Sequence, residues 1–233
     1  MQVPTVEQWP SAGSSAIRLS SGERAARYIR RLIFGGQLRP GTRIPQDDVA
    51  QALGVSRIPV REALIALERE GWVTIELHRG AFVSVLDARA VADHYDLYGV
   101  VLGFAAQRAL ERAGRQLLDD LSTIERDFAK TDDPAELNRL ALEFQDTIVD
   151  AAASPRLKVV MRAISRFVPG NFFALVPDSV KIERRGLTAI VRAMKKRDGE
   201  LVVEEYARMM NGLGEKVVTL FKSRGLLDQP DTG

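Results

Sequence analysis

Cysteine does not occur in this chain. Disulfides, thiolate metal centres and cysteine nucleophiles are therefore excluded, and the composition suits the cytoplasm. Histidine is nearly as scarce, with His78 and His94 the whole complement. Catalysis needs a nucleophile beside a base, or a metal. With one histidine outside the segment around His78 and no glycine-rich phosphate loop, the expectation is a non-enzyme without cofactor. No apolar run approaches the ~18–20 residues of a membrane span. The opening stretch MQVPTVEQWPSAGSSA has no basic region leading into an apolar core, so it does not read as a secretory signal. Lysine is missing from a long part of the chain. Between Ser21 and Leu86 there are ten arginines, seven acidic residues and no lysine; all seven lysines follow Phe128. A modest basic excess carried by arginine favours directed contacts over a loose polycationic patch. Binding nucleic acid with so small an excess points to two copies of the unit acting together.

What is present describes an ordinary globular protein: 45% hydrophobic and 27% charged over 233 residues, enough for a core and for one large or two small domains. The stretch Gly54–Trp72, GVSRIPVREALIALEREGW, organises the rest. Gly54 and Val55 make a small turn, and Ser56 is placed as an N-cap. Arg57, Ile58 and Pro59 fill a first turn where the missing proline N–H costs little. Val60, Ala63, Leu64 and Leu67 then recur at helical spacing, so one face is built for burial. Arg57 and Arg61 lie one turn apart on the other side. Arginine there can fork onto guanine or clamp a phosphate in a DNA major groove; the same pattern also suits a plain amphipathic surface helix.

Residues 1–20 are rich in Ser, Gly, Pro and Ala and read as a flexible arm, with Arg18 a stray phosphate contact or idle. A first helix starts at Ser21 or Gly22, buries Ala25, Tyr28, Ile29, Leu32 and Ile33, and ends at Gly35-Gly36. Leu38–Thr42 is a turn and Arg43-Ile44 a candidate short strand. A short helix begins at Gln46, Asp47 or Asp48 with Val49, Ala50 and Leu53 inward, and Gly54 breaks it. Two helices across a tight turn, the second bearing arginines, spell helix-turn-helix. Trp72–Glu76 alternates as a strand, His78-Arg79-Gly80 is a turn, and Ala81–Val85 returns. A hairpin with that tip, directly after that helix, is a wing able to approach the phosphate backbone or minor groove, or else a plain cover on the core.

The segments LRPGTRI, DDVAQALGVSRIPVREALIALEREGWV and HRGAFVSV together resemble the N-terminal winged helix-turn-helix of the GntR family of bacterial transcription regulators. The resemblance covers residues 21–86. It implies DNA contacts from Ser56, Arg57, Ile58 and Arg61, and from His78, Arg79 and Gly80 in the wing, with Arg39 and Arg43 near the backbone. Many relatives have an arginine where this chain has Asp47. A carboxylate cannot serve a phosphate, so that contact is lost or replaced by one to cytosine.

From Asp87 onward no strand pattern stands out. Helical patterns cover 88–113, 115–130, 134–153, a stretch from Ser154-Pro155, and 179–196 and 199–223, with breaks at Pro169-Gly170-Asn171 and Pro177-Asp178. Residues 87–229 thus read as an all-α antiparallel bundle, making the whole mainly α with one small β-hairpin. The order resembles the C-terminal FCD-type effector domain of the FadR-like branch, in which an aspartate and three histidines usually hold a divalent metal. The motif Asp-x-x-Phe-His falls here on Ala141-Leu142-Glu143-Phe144-Gln145, and the remaining histidine positions fall near Leu187 and Met209. All four ligands are missing, so no metal is expected. An apolar pocket with few polar anchors favours a hydrocarbon-bodied ligand, and one member of the branch takes long acyl-CoA. The expected effector is an apolar carboxylate, fatty acid or acyl-CoA. Its candidate contacts are Tyr95, Tyr98, Arg108, Phe144, Gln145, Arg162, Arg166 and Asn211, with Phe167, Phe172 and Phe173 as further apolar wall. The alternative is a degenerate sensor whose aromatics are only core. The resemblance further implies a cytoplasmic homodimeric repressor on a double-stranded operator with inverted-repeat symmetry.

Overall fold

The computed structural model describes residues 20–164 and 172–227. They divide into two compact units. In the first, α1 (Ser21–Phe34), α2 (Gln46–Leu53) and α3 (Arg57–Arg69) precede an antiparallel hairpin of β1 (Val73–Glu76) and β2 (Gly80–Val83). Helix α1 starts on a capping box. Glu23 N donates to Ser20 Oγ at 3.1 Å, and Ser20 N donates to Glu23 Oε2 at 2.8 Å, so two otherwise unpaired amides are satisfied reciprocally. Its apolar stripe, from Ala25 to Phe34, is buried and packs chiefly on α3. Helix α2 stops where Gly54 turns left-handed at φ 62° and donates back to Ala50 and Gln51 carbonyls; that conformation suits glycine. Ser56 sits at the N-cap position of α3, as its sequence suggests, but its side chain makes no capping hydrogen bond.

The hairpin pairs Val73 with Val83 and Ile75 with Ala81. The segment before α2 lies along its other edge: Ile44 N donates to Ala81 O at 2.8 Å, and Val83 N donates to Thr42 O at 2.9 Å. The short strand expected at Arg43-Ile44 is thus a single bridge, Arg43 with Phe82. Pro40 and Pro45 bound it and offer no N–H to extend a ladder. The chain's far end also belongs to this unit. Phe221 meets the Phe34 ring edge-on at 5.6 Å and the Trp72 ring at 6.1 Å. Arg224 donates to Phe34 O at 2.8 Å, and Leu227 bridges to Leu86. These last residues lie within the span 87–229 that the sequence assigns to the helical bundle; Phe221, Leu226 and Leu227 are buried, and they group with the first unit.

Among the described residues the second unit is helical. It comprises α4 (Ala88–Arg112), α5 (Arg115–Lys130), α6 (Pro134–Ala151), α7 (Pro155–Ile164), the single turn α8 (Phe172–Leu175), α9 (Ser179–Lys195) and α10 (Gly199–Ser223), whose last turn enters the first unit. Asp133 caps α6, accepting from Glu136 N at 3.2 Å, with Pro134 at the first position. Helix α5 packs on α6 and α9. Helices α4 and α10 touch backbone to backbone: a Cβ at Gly103 would stand 3.1 Å from Val203 Cα, and one at Gly99 3.2 Å from Ala207 Cα. Val160, on α7, is exposed.

Candidate functional site

Two groupings carry chemistry, one in each unit. In the first, α3 buries Val60, Ala63, Leu64 and Leu67, and this anchoring turns Ser56, Arg57, Ile58 and Arg61 outward. Ile58 is 68% exposed, an apolar side chain held in water beside two arginines. A hollow of about 380 Å³ opens here, lined by Arg43, Ile44, Pro45, Gln46, Asp47, Asp48, Arg57 and Arg61. Arg43 reaches it from the strand-edge segment by lying over Gly80: a Cβ there would come within 3.0 Å of Arg43 Nε. Gly80, at φ 111°, therefore supplies a backbone conformation that favours glycine, and its missing side chain lets the Arg43 guanidinium lie close against it. Asp47, the departure noted in the sequence, forms an ion pair with Arg57 Nε. A carboxylate against Nε leaves the two terminal nitrogens of the fork to point onward.

The wing tip is exposed. His78 adopts φ 62°, a left-handed turn conformation. Arg79 pairs with Glu76 and lies 5.5 Å over the Phe82 ring, so it is aimed rather than loose. Arg39 is exposed in the turn before Thr42, its carbonyl accepting from Thr42, and is not part of the hollow. The structure therefore gathers Arg43, Arg57 and Arg61 with Gly80 and leaves Arg39 apart.

In the second unit, the candidate effector residues separate. Tyr95, Tyr98 and Phe144 are buried, and Tyr98 hydroxyl meets Gln145 Oε1 at 2.6 Å. Arg108 instead pairs with Glu111 at 2.6 Å and lies over the Phe104 ring. Asn211 is exposed and donates to Asp96 at 3.2 Å. Neither joins the buried tyrosines, because each sits on the polar face of its helix. Arg166, Phe167 and the side chain of Arg162 lie outside the described residues. Phe173 packs edge-on to Phe128 at 5.5 Å as core. His94 lies 5.5 Å from the Tyr95 ring, and burial lowers its pKa to about 4, so it is neutral at physiological pH. Glu143 is exposed and paired with Arg139. Among the described residues, no group of three or more His, Cys, Asp or Glu side chains could hold a metal ion.

Two residues of the cluster escaped the sequence reading, Glu183 and Tyr206. Glu183 is 3% exposed and Tyr206 0%. Glycine contacts set their register. Gly186 abuts Met209 and Gly212 abuts Ile182, so α9 runs antiparallel to α10. Gly103 abuts Val203 and Gly214 abuts Tyr95, so α4 does likewise. Tyr95 and Glu183 thereby stand at nearly one level, beside residues 212–214. The signal was available: Glu183 shares a stripe with Gly186, Leu187, Ile190 and Met194, all buried, and a carboxylate on such a stripe is buried with it.

Comparison with known proteins follows the same division. Residues 21–83 match the bacterial regulatory proteins of the gntR family, and residues 93–212 match the FCD domain. An HTH-type transcriptional regulator of Mycobacterium tuberculosis (strain H37Rv) is 31% identical over 157 residues, 67% of this chain. The chain spans 64% of that relative's length, just under two thirds. The gluconate operon transcriptional repressor of Bacillus subtilis (strain 168) is 25% identical over 90% of both proteins. Among solved structures, E. coli McbR/YncC is similar with a TM-score of 0.59 at 20% identity, over 88% of this chain and 99% of that one. At that identity the likeness concerns the fold.

Proposed function

Because the chain belongs to the GntR family of bacterial regulatory proteins and carries an FCD domain, we propose that it is a transcription regulator, a repressor, that binds a DNA operator and releases it in response to a small molecule. In this reading residues 21–86, completed by the segment from Phe221, read the DNA, and the helices between hold the effector and form the homodimer, with 1–20 a leading arm. Two α3 helices of a dimer meet two half-sites of an inverted repeat in the cytoplasm. No helix among the described residues is long and apolar enough to cross a membrane.

The observation that carries the proposal is the outward presentation of Arg57, Ile58 and Arg61 from a helix whose reverse face is locked in the core. Ser56, Arg57 and Arg61 are assigned to base edges and the nearest phosphates. Ile58 is assigned to a thymine methyl. Arg39, Arg43, His78, Arg79 and Gly80 are assigned to the sugar-phosphate backbone. The test is operator selection from random duplexes, followed by fluorescence anisotropy. Arg57→Ala and Arg61→Ala are each expected to cost about 1–3 kcal/mol of specific binding. Unchanged operator affinity in both variants would refute the assignment.

For the effector, an apolar carboxylate, fatty acid or acyl-CoA draws support from the apolar wall of Phe144, Leu187 and Met209. Charge speaks against it: Arg108 is engaged elsewhere, and a buried carboxylate sits among the tyrosines. A protein that responds to no small molecule is the second reading. Effector binding gates DNA only through unequal affinity for two states, so titrating ligand against operator-bound protein separates the two.

A further inference from the structure

The helical unit encloses a carboxylate that no basic side chain neutralises among the described residues. Glu183 is buried, and no hydrogen bond or ion pair reaches it among the described residues. Burial alone raises its pKa to about 7. Around it stand Tyr95, Tyr98 and Tyr206, each buried and each held above its ordinary pKa by burial and by the Glu183 charge. Tyr98 hydroxyl is committed to Gln145. Tyr206 hydroxyl is buried and has no hydrogen-bond partner among the described residues. A buried carboxyl group and a buried phenol hydroxyl, neither with a hydrogen-bond partner among the described residues, thus share one aromatic-lined core. Native folds rarely keep such groups without a use for them.

We propose that this cluster binds a small organic cation, a protonated amine with an apolar body, whose ammonium group is met by the Glu183 carboxylate within the ring cage of Tyr95, Tyr98 and Tyr206. The inference rests on the effector-binding reading of this domain and gives that effector its charge. An ammonium donates N–H to the carboxylate, and aromatic rings attract a cation once water is excluded. The apolar body is met by Leu187 and Met209, which lie on the same faces of α9 and α10. A carboxylate ligand placed there would meet like charge or oblige Glu183 to stay protonated. A metal ion is a poor occupant, because Glu183 has no companion ligands among the described residues.

The test compares n-hexylamine with hexanoate, one hydrocarbon body with opposite charges, by thermal denaturation of the full chain at pH 8. The amine is expected to raise the melting temperature of the wild type by several degrees. Glu183→Gln, which removes a buried charge while keeping the shape, is expected to abolish that rise. Hexanoate is expected to shift neither protein. Glu183→Met serves as a second uncharged variant should the glutamine form fold poorly. A shift with hexanoate, an amine shift that survives in the uncharged variants, or no shift with the amine overturns the proposal. Operator affinity of the ligand-free protein is measured alongside. Intact operator binding without an amine shift sinks this inference alone, whereas absent operator binding sinks the DNA-binding reading.

Discussion

A carboxyl group held in an apolar core favours its protonated form, and Glu183 does so up to about pH 7. The unfolded chain ionises the same group near 4.5. Its folded pKa is raised, so the stability it contributes is fully present below about pH 4.5 and is lost as pH rises through 7. Tyr95, Tyr98 and Tyr206 stay neutral throughout, and His94 is common to both proteins compared, so the difference between wild type and Glu183→Gln isolates this group. Urea unfolding should show the two nearly equal at pH 4.5, with Glu183→Gln more stable at pH 8 by on the order of 3 kcal/mol. Asp47 acts at the surface, where its pair with Arg57 adds at most about 1 kcal/mol to folding. In the proposed DNA-binding reading its effect belongs to selectivity: it would hold the Arg57 guanidinium fork in one direction and repel stray phosphates. Asp47→Ala is expected to leave the melting temperature unchanged, tighten binding to scrambled duplex DNA and lower the ratio of operator to non-operator affinity, read by anisotropy across a salt series. Neither role follows from residue type alone. Asp47 stands out in the sequence as a departure from a motif, but its partner one element away becomes visible only once α2 and α3 are folded against each other.

Elements were the most readable level of this chain. The starts of α3, α6, α9 and α10 and the ends of α1 and α2 coincide with Ser56, Asp133-Pro134, Ser179, Gly199, Gly35 and Gly54. Local capping and turn chemistry decide such boundaries, and both are written in adjacent residues. The capping box at Ser20 and Glu23 is equally local. What adjacent residues do not record is which helix lies opposite which. The close crossing of α4 on α10 is made by Gly99 and Gly103, which in sequence look like weak points of a long helix. Gly103→Leu would drive a side chain into the Val203 backbone and force the helices apart. The expected cost is about 1–3 kcal/mol, read as a lower melting temperature of the helical unit and faster amide exchange along α4 and α10, with the helix content by circular dichroism preserved.

At the scale of the molecule, sequence order and spatial order part company. Among the described residues, the first unit is made of two pieces of chain, residues 20–88 and the segment from Phe221. Phe221 is fully buried between Phe34 and Trp72, so Phe221→Ala should destabilise that unit by about 3–5 kcal/mol. Hydrogen exchange should report it as lost protection in α1 and β1, and operator binding should fail at a lower temperature than in the wild type.

The ribosome makes α1 to β2 first, yet the core they share with Phe221 is complete only after residues 221–227 have emerged. Most of the polypeptide is synthesised while the gene-reading surface stands on an unfinished support, at a stage when exposed apolar surface invites aggregation. A chain interrupted before Phe221 would therefore keep every arginine proposed to face DNA and is expected to occupy its operator poorly.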